Sequence, residues 1–127
     1  MIWDLRDRAR VDAILNKLSA GTLSLSQAAQ EFWSILSESS EQASDILEQV
    51  PTEILYKLIR AGLSSADPDM FRLGEKNVWF REKVGNVIGS LDKEELEEIS
   101  KAILNSGLER SAIASRVFYR NKKLERI

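Results

Sequence analysis

Leu91-Asp92-Lys93-Glu94-Glu95-Leu96-Glu97-Glu98-Ile99 decides the class of this 127-residue chain, because it spells the start of a helix. Asp92 and Glu95 stand at the spacing of a capping box, in which each side chain accepts a hydrogen bond from the other residue's backbone N–H. Leu91 and Leu96 form the matching hydrophobic staple. The glutamates fill the first turn, where negative charge meets the positive end of the helix dipole. Leu96, Ile99, Ile103 and Leu104 then recur at helical spacing until Asn105-Ser106-Gly107 supplies a terminator.

The same two features, apolar periodicity and end chemistry, organise the rest of the chain. A first helix spans about Trp3 to Ala20, with Val11, Ile14, Leu15 and Leu18 behind the charged run Asp4 to Arg10 and Gly21 as its cap. Ser24 and Gln27 spell another capping box. It opens a helix to about Ser37 with Leu25, Ala28, Ala29, Phe32 and Leu36 on one stripe. Serines 37, 39 and 40 interrupt the pattern before a short helix carrying Ala43, Ile46, Leu47 and Val50. Pro51 closes that helix by biasing Val50 away from the α region. Pro51 also suits the first position of a fourth helix, with Ile54, Leu55, Leu58 and Ile59 inward and Gly62-Leu63 as terminator. Ser64 to Gly74, containing Asp67-Pro68-Asp69, reads as one long turn-rich connection. A helix from about Glu75 to Ile88 presents Val78, Trp79, Phe80, Val84, Val87 and Ile88, apolar on more than one side. The last helix starts near Leu108 or Ser111 and carries Ile113, Val117, Phe118 and Leu124. The expectation is one all-α domain over residues 1–127, a compact bundle of six or seven short helices.

An internal correspondence sets Ile54 to Leu63 against Ile99 to Leu108, offset by 45 positions with three identities. That offset falls in the period of paired-helix solenoids, so residues 43–108 loosely resemble a HEAT- or armadillo-like pair of repeats. Any capped helix can end in Gly-Leu, and the plain bundle is the simpler reading.

Composition removes whole classes of function. Hydrophobic residues make up 43% and charged residues 30%, an ordinary globular balance. With no cysteine there is no disulfide, zinc thiolate or thiol catalysis, and with no histidine the commonest general base and metal ligand are gone. Charges lie within the first four residues and no apolar run approaches the roughly 20 residues of a membrane span. A cytoplasmic location without membrane contact is therefore expected. Neither Gly-x-Gly-x-x-Gly nor Gly-x-x-x-x-Gly-Lys occurs. Ser90-Leu91-Asp92-Lys93 matches a Ser-x-x-Lys spelling, but is better explained as a helix start. Asp92, Glu94, Glu95, Glu97 and Glu98 are the densest carboxylate cluster, and solvated capping explains them better than catalysis or metal binding. No catalytic, cofactor-binding or metal-binding residue is expected, and the chain reads as a non-enzyme. Gly85 and Gly89, each costly inside a helix, imply a close neighbour or, for Gly89, a helix end.

Charge is unevenly spread. Residues 91–107 hold five acids and two bases, for −3, whereas residues 108–127 hold six bases and two acids, for +4. Trp3, Trp33 and Trp79 are many tryptophans for a small core, and adjacent Phe32 and Trp33 point about 100° apart on a helix, so one of them reads as an exposed anchor. These features support non-catalytic protein–protein recognition, as by a small acidic inhibitor of the immunity-protein or antitoxin type that masks a basic enzyme or toxin. Glu94, Glu97 and Glu98 would steer the encounter, and Trp33 or Trp79 would hold it. The alternative is a nucleic-acid-binding regulator that sets Arg116, Arg120, Lys122 and Lys123 on phosphates, with Tyr119 stacking on a base.

Overall fold

A computed structural model describes residues 5–38 and 42–125, which form α1 (Leu5–Ser19), α2 (Leu25–Glu38), α3 (Ala43–Gln49), α4 (Thr52–Ser64), α5 (Pro68–Lys76), α6 (Val78–Gly89), α7 (Lys93–Asn105) and α8 (Ala112–Glu125). Trp3, Ser39, Ser40 and Arg126 lie outside the described residues. The described chain is all-helical, and none of its helices is long and apolar enough to cross a membrane.

Eight helices stand where six or seven are expected, and the additional one is α5. Asp67-Pro68-Asp69 is a helix start and not a turn. The Asp67 side chain accepts from the backbone N–H groups of Asp69 (2.9 Å) and Met70 (3.4 Å), and Pro68 occupies the first turn, where its missing N–H is no loss. Consequently the helix placed at Glu75 begins at Val78, where Asn77 accepts from the Phe80 N–H at 2.9 Å.

The termination of α4 also differs from expectation. Gly62 sits inside the helix, and the chain turns at Ala66 (φ 50°) in a Schellman arrangement: Asp67 N–H bonds to Gly62 O at 2.9 Å and Ala66 N–H to Leu63 O at 3.1 Å. In α7 the left-handed position is taken by Gly107 itself (φ 70°). The two Gly-Leu pairs of the 45-residue correspondence thus do different jobs, although α4 and α7 do pack against each other.

Gly62 has a packing role. A side chain there would overlap Met70 Sδ and would come within 2.9 Å of the Trp33 indole nitrogen. That closeness lets Trp33 donate to the Leu58 carbonyl oxygen at 3.2 Å from inside the core. Phe32 meets the indole edge-on with ring centroids 4.8 Å apart, and Phe80 of α6 approaches it to 5.1 Å. Phe32 and Trp33 are both fully buried, which corrects the expectation that one faces solvent: α2 is covered by α1, α4 and α5, with α3 beside it, so more than one side of it is interior. The second half is organised by α8, which packs across α5, α6 and α7. Gly74 admits it, since a Cβ there would stand 2.8 Å from Ile113 Cγ1.

Two changes test this core. Trp33→Phe loses the hydrogen bond to Leu58 and leaves a void, and should cost about 2–4 kcal/mol in urea unfolding. A loss near zero would place the indole outside the core. Burial pushes the Asp67 carboxyl above its ordinary value, against the opposing pull of its two backbone N–H partners. A folded pKa above the unfolded one means that the charged carboxylate costs stability above the raised pKa, and that the cost fades as pH falls through it. Asp67→Asn, which keeps an accepting oxygen, should therefore match or exceed wild-type stability at neutral pH. The difference should close as the pH falls toward about 4 in unfolding measured across pH. A wild-type advantage growing toward neutrality would contradict this expectation.

Candidate functional site

The capping box read from the sequence is present at the start of α7. Asp92 Oδ1 accepts from the Glu95 N–H at 2.8 Å, and Glu95 Oε1 accepts from the Asp92 N–H at 3.4 Å, with Leu91 and Leu96 buried as the staple. Glu95 also pairs with Arg60 of α4, which fixes the first turn of α7 to the core. Leu96, Ile99 and Ile103 face inward, so Glu94, Glu97 and Glu98 are presented outward on successive turns. Glu97 pairs with Lys93 Nζ at 3.8 Å on the same helix; Glu94 and Glu98 form no ion pair among the described residues, although the exposed Lys101 stands one turn beyond Glu97 and Glu98. Leu104, expected in the core stripe, is 58% exposed instead. It follows Glu97 by seven residues, which puts it on the same outward strip.

The candidate cations of α8 separate into two kinds. Arg116 is engaged within the molecule: its Nη2 donates to Glu82 Oε1 at 2.8 Å, and its guanidinium lies across Gly85, where an added Cβ would come within 3.0 Å of Nη1. Close approach of α8 thus accounts for Gly85, while Gly89 has no such neighbour and ends α6. Arg120 folds back toward the same helix end, with Nη2 at 3.5 Å from the Gly89 carbonyl and Nε buried. Lys122 and Lys123 are exposed, and Lys123 Nζ rests 5.4 Å from the centre of the Tyr119 ring. Tyr119 itself is 66% exposed.

The tryptophans do not join these surfaces. Trp33 is interior and cannot serve as a surface anchor. Trp79 is half-buried beside the exposed Val78, with Lys83 Nζ over its ring at 5.2 Å. It stands at the start of α6, whereas the glutamates follow the end of that helix, roughly 15 Å further along at 1.5 Å per residue. A separate open cleft of about 640 Å³ lies between α1, α2 and α5. Arg10, Lys17, Glu31 and Asp69 give its walls both signs of charge. Comparison with protein-family models, curated proteins and solved structures finds no match for this chain.

A double-mutant cycle on Glu82→Ala and Arg116→Ala tests whether Arg116 is tied to its own fold. The pair is substantially exposed, so a coupling of about 0.2–1 kcal/mol in unfolding free energy is expected. A coupling indistinguishable from zero would return Arg116 to the set of free cations.

Proposed function

We propose that this chain is a non-catalytic recognition domain, acting in the cytoplasm, that meets a basic protein surface with the outer face of α7, in the manner of a small acidic inhibitor of the immunity-protein or antitoxin type. The observation that carries this reading is the exposed strip Glu94, Glu97 and Glu98 on a helix held at both ends. Like charges crowded on one face repel one another and are most relieved by a cationic partner, and such a strip steers the encounter before contact. A helix with a capping box at one end and a Schellman turn at the other loses little further freedom on binding, so little of the interaction is spent on ordering it. Leu104 on the same strip supplies apolar area that a partner can cover.

The nucleic-acid reading is weakened by the same geometry. Arg116 and Arg120 are turned onto α6, which leaves Lys122 and Lys123 of the four proposed phosphate contacts. Two cations would release about two counterions, a log–log salt slope near −2 and only weak affinity.

Affinity capture with the wild type and with the E94K/E97K/E98K triple variant, each at low and high salt, separates the two readings. A basic protein held by the wild type and weakened about tenfold or more by charge reversal is expected. Equal capture by both forms would contradict the proposal. Salt-dependent binding of generic DNA or RNA, lost in K122A/K123A, would establish the alternative.

A further inference from the structure

The α7–α8 pair carries both signs of charge in an arrangement that complements itself. Residues 106–111 form a short connection, so the two helices pack as an antiparallel hairpin, with the first turns of α7 and the last turns of α8 at the same end. At that end the exposed charges of α7 are Glu94, Glu97 and Glu98 with Lys93, and those of α8 are Lys122 and Lys123 with Glu125, so acids predominate on one helix and bases on the other. The same two helices hold Leu104 and Tyr119, two of the four large apolar side chains exposed among the described residues. A symmetric dimer uses the same patch twice, so the patch must attract its own copy; a face of a single sign would repel it. A two-fold axis running along the hairpin between its helices sets α7 of each copy on α8 of the other. Glutamates then oppose lysines on both sides, and the apolar residues lie between the two layers.

We infer that the outer face of the α7–α8 hairpin pairs with a second copy of this chain, giving a four-helix contact across a two-fold axis. The inference rests on the reading of α7 as a recognition surface and names one occupant of it: in the free protein the second copy covers the glutamates that a basic partner would take. Self-association and partner capture then compete for one face.

Sedimentation velocity over a range of protein concentrations, at about 20 mM and about 500 mM salt, reads this directly, because exposed pairs are strongly screened at the higher salt. The wild type should move from monomer to dimer at low salt, with a dissociation constant at least about tenfold weaker at high salt. E94K/E97K/E98K and K122E/K123E should each be monomeric alone, and an equimolar mixture should form a heterodimer, because the two altered faces now have opposite signs. L104E/Y119E, at positions already exposed, should also be monomeric while keeping its helical circular dichroism. A wild type that stays monomeric at every concentration overturns the inference, as does a dimer that survives all three variants. Captured basic protein distinguishes the two claims. A monomeric wild type that still captures one through α7 leaves the recognition reading standing and removes self-pairing, whereas a charge-dependent dimer that captures none does the reverse.

Discussion

The Trp33 indole, donating to the Leu58 carbonyl through the space left by Gly62, is the contact on which the rest of the arrangement depends. It brings α2 and α4 closer than two helices with ordinary side chains at the crossing could come. Met70 of α5 and Phe80 of α6 then close over the same point. Four helices are fixed by one side chain, and the hydrogen bond removes the penalty of burying an indole N–H. Because protein interiors do not tolerate voids, a smaller residue at 33 or a larger one at 62 disturbs all four helices at once.

On that base the α7–α8 pair is seated by Leu96, Ile99, Ile103, Ile113, Ala114 and Val117 in the core, and polar contacts tie down its edges. Glu75 of α5 accepts from the Ala112 N–H and caps α8, Arg60 of α4 holds Glu95 in the first turn of α7, and Glu82 of α6 holds Arg116. Each of these uses a charge that would otherwise be counted as available surface. What remains outside includes Glu94, Glu97, Glu98 and Leu104 on one helix, with Lys93 and Lys101 among them, and Tyr119, Lys122 and Lys123 on the other, with Glu125 at its end. The placement of the inward charges therefore shapes the outward face, on which acids predominate along α7 and bases along the last turns of α8.

Fold class and most boundaries are legible in the sequence because end chemistry and apolar spacing agree, most fully at Asp92 and Glu95. Where one chemistry serves two purposes, legibility ends. Asp-Pro-Asp begins a helix as readily as a turn, and only the fit of Met70, Phe71 and Leu73 into the core decides for α5. Gly62 resembles a terminator because glycine commonly follows a helix, yet its lack of a Cβ is used for the indole. Trp33 reads as too large to join Phe32 inside only if α2 has one buried face, and it has several. For the candidate surface, the exposed glutamates follow from helical phase alone. The division of the arginines from the lysines does not, since it depends on Glu82 and Gly89, which come from another helix. Leu104 escapes sequence reasoning because Ile103 and Leu104 are adjacent, and spacing alone cannot say which of the pair continues the stripe.

If the outer face of α7 is the surface this chain offers to cations, a simple polycation must find it. Backbone amide chemical shifts followed during titration with a short oligolysine peptide test this directly and need no natural partner. Perturbations should centre on Glu94, Glu97 and Glu98, vanish when those three charges are reversed, and leave α1 and α2 little affected. Shifts centred instead on the Glu31 and Asp69 cleft, or unchanged by the reversal, would show that α7 is not that surface.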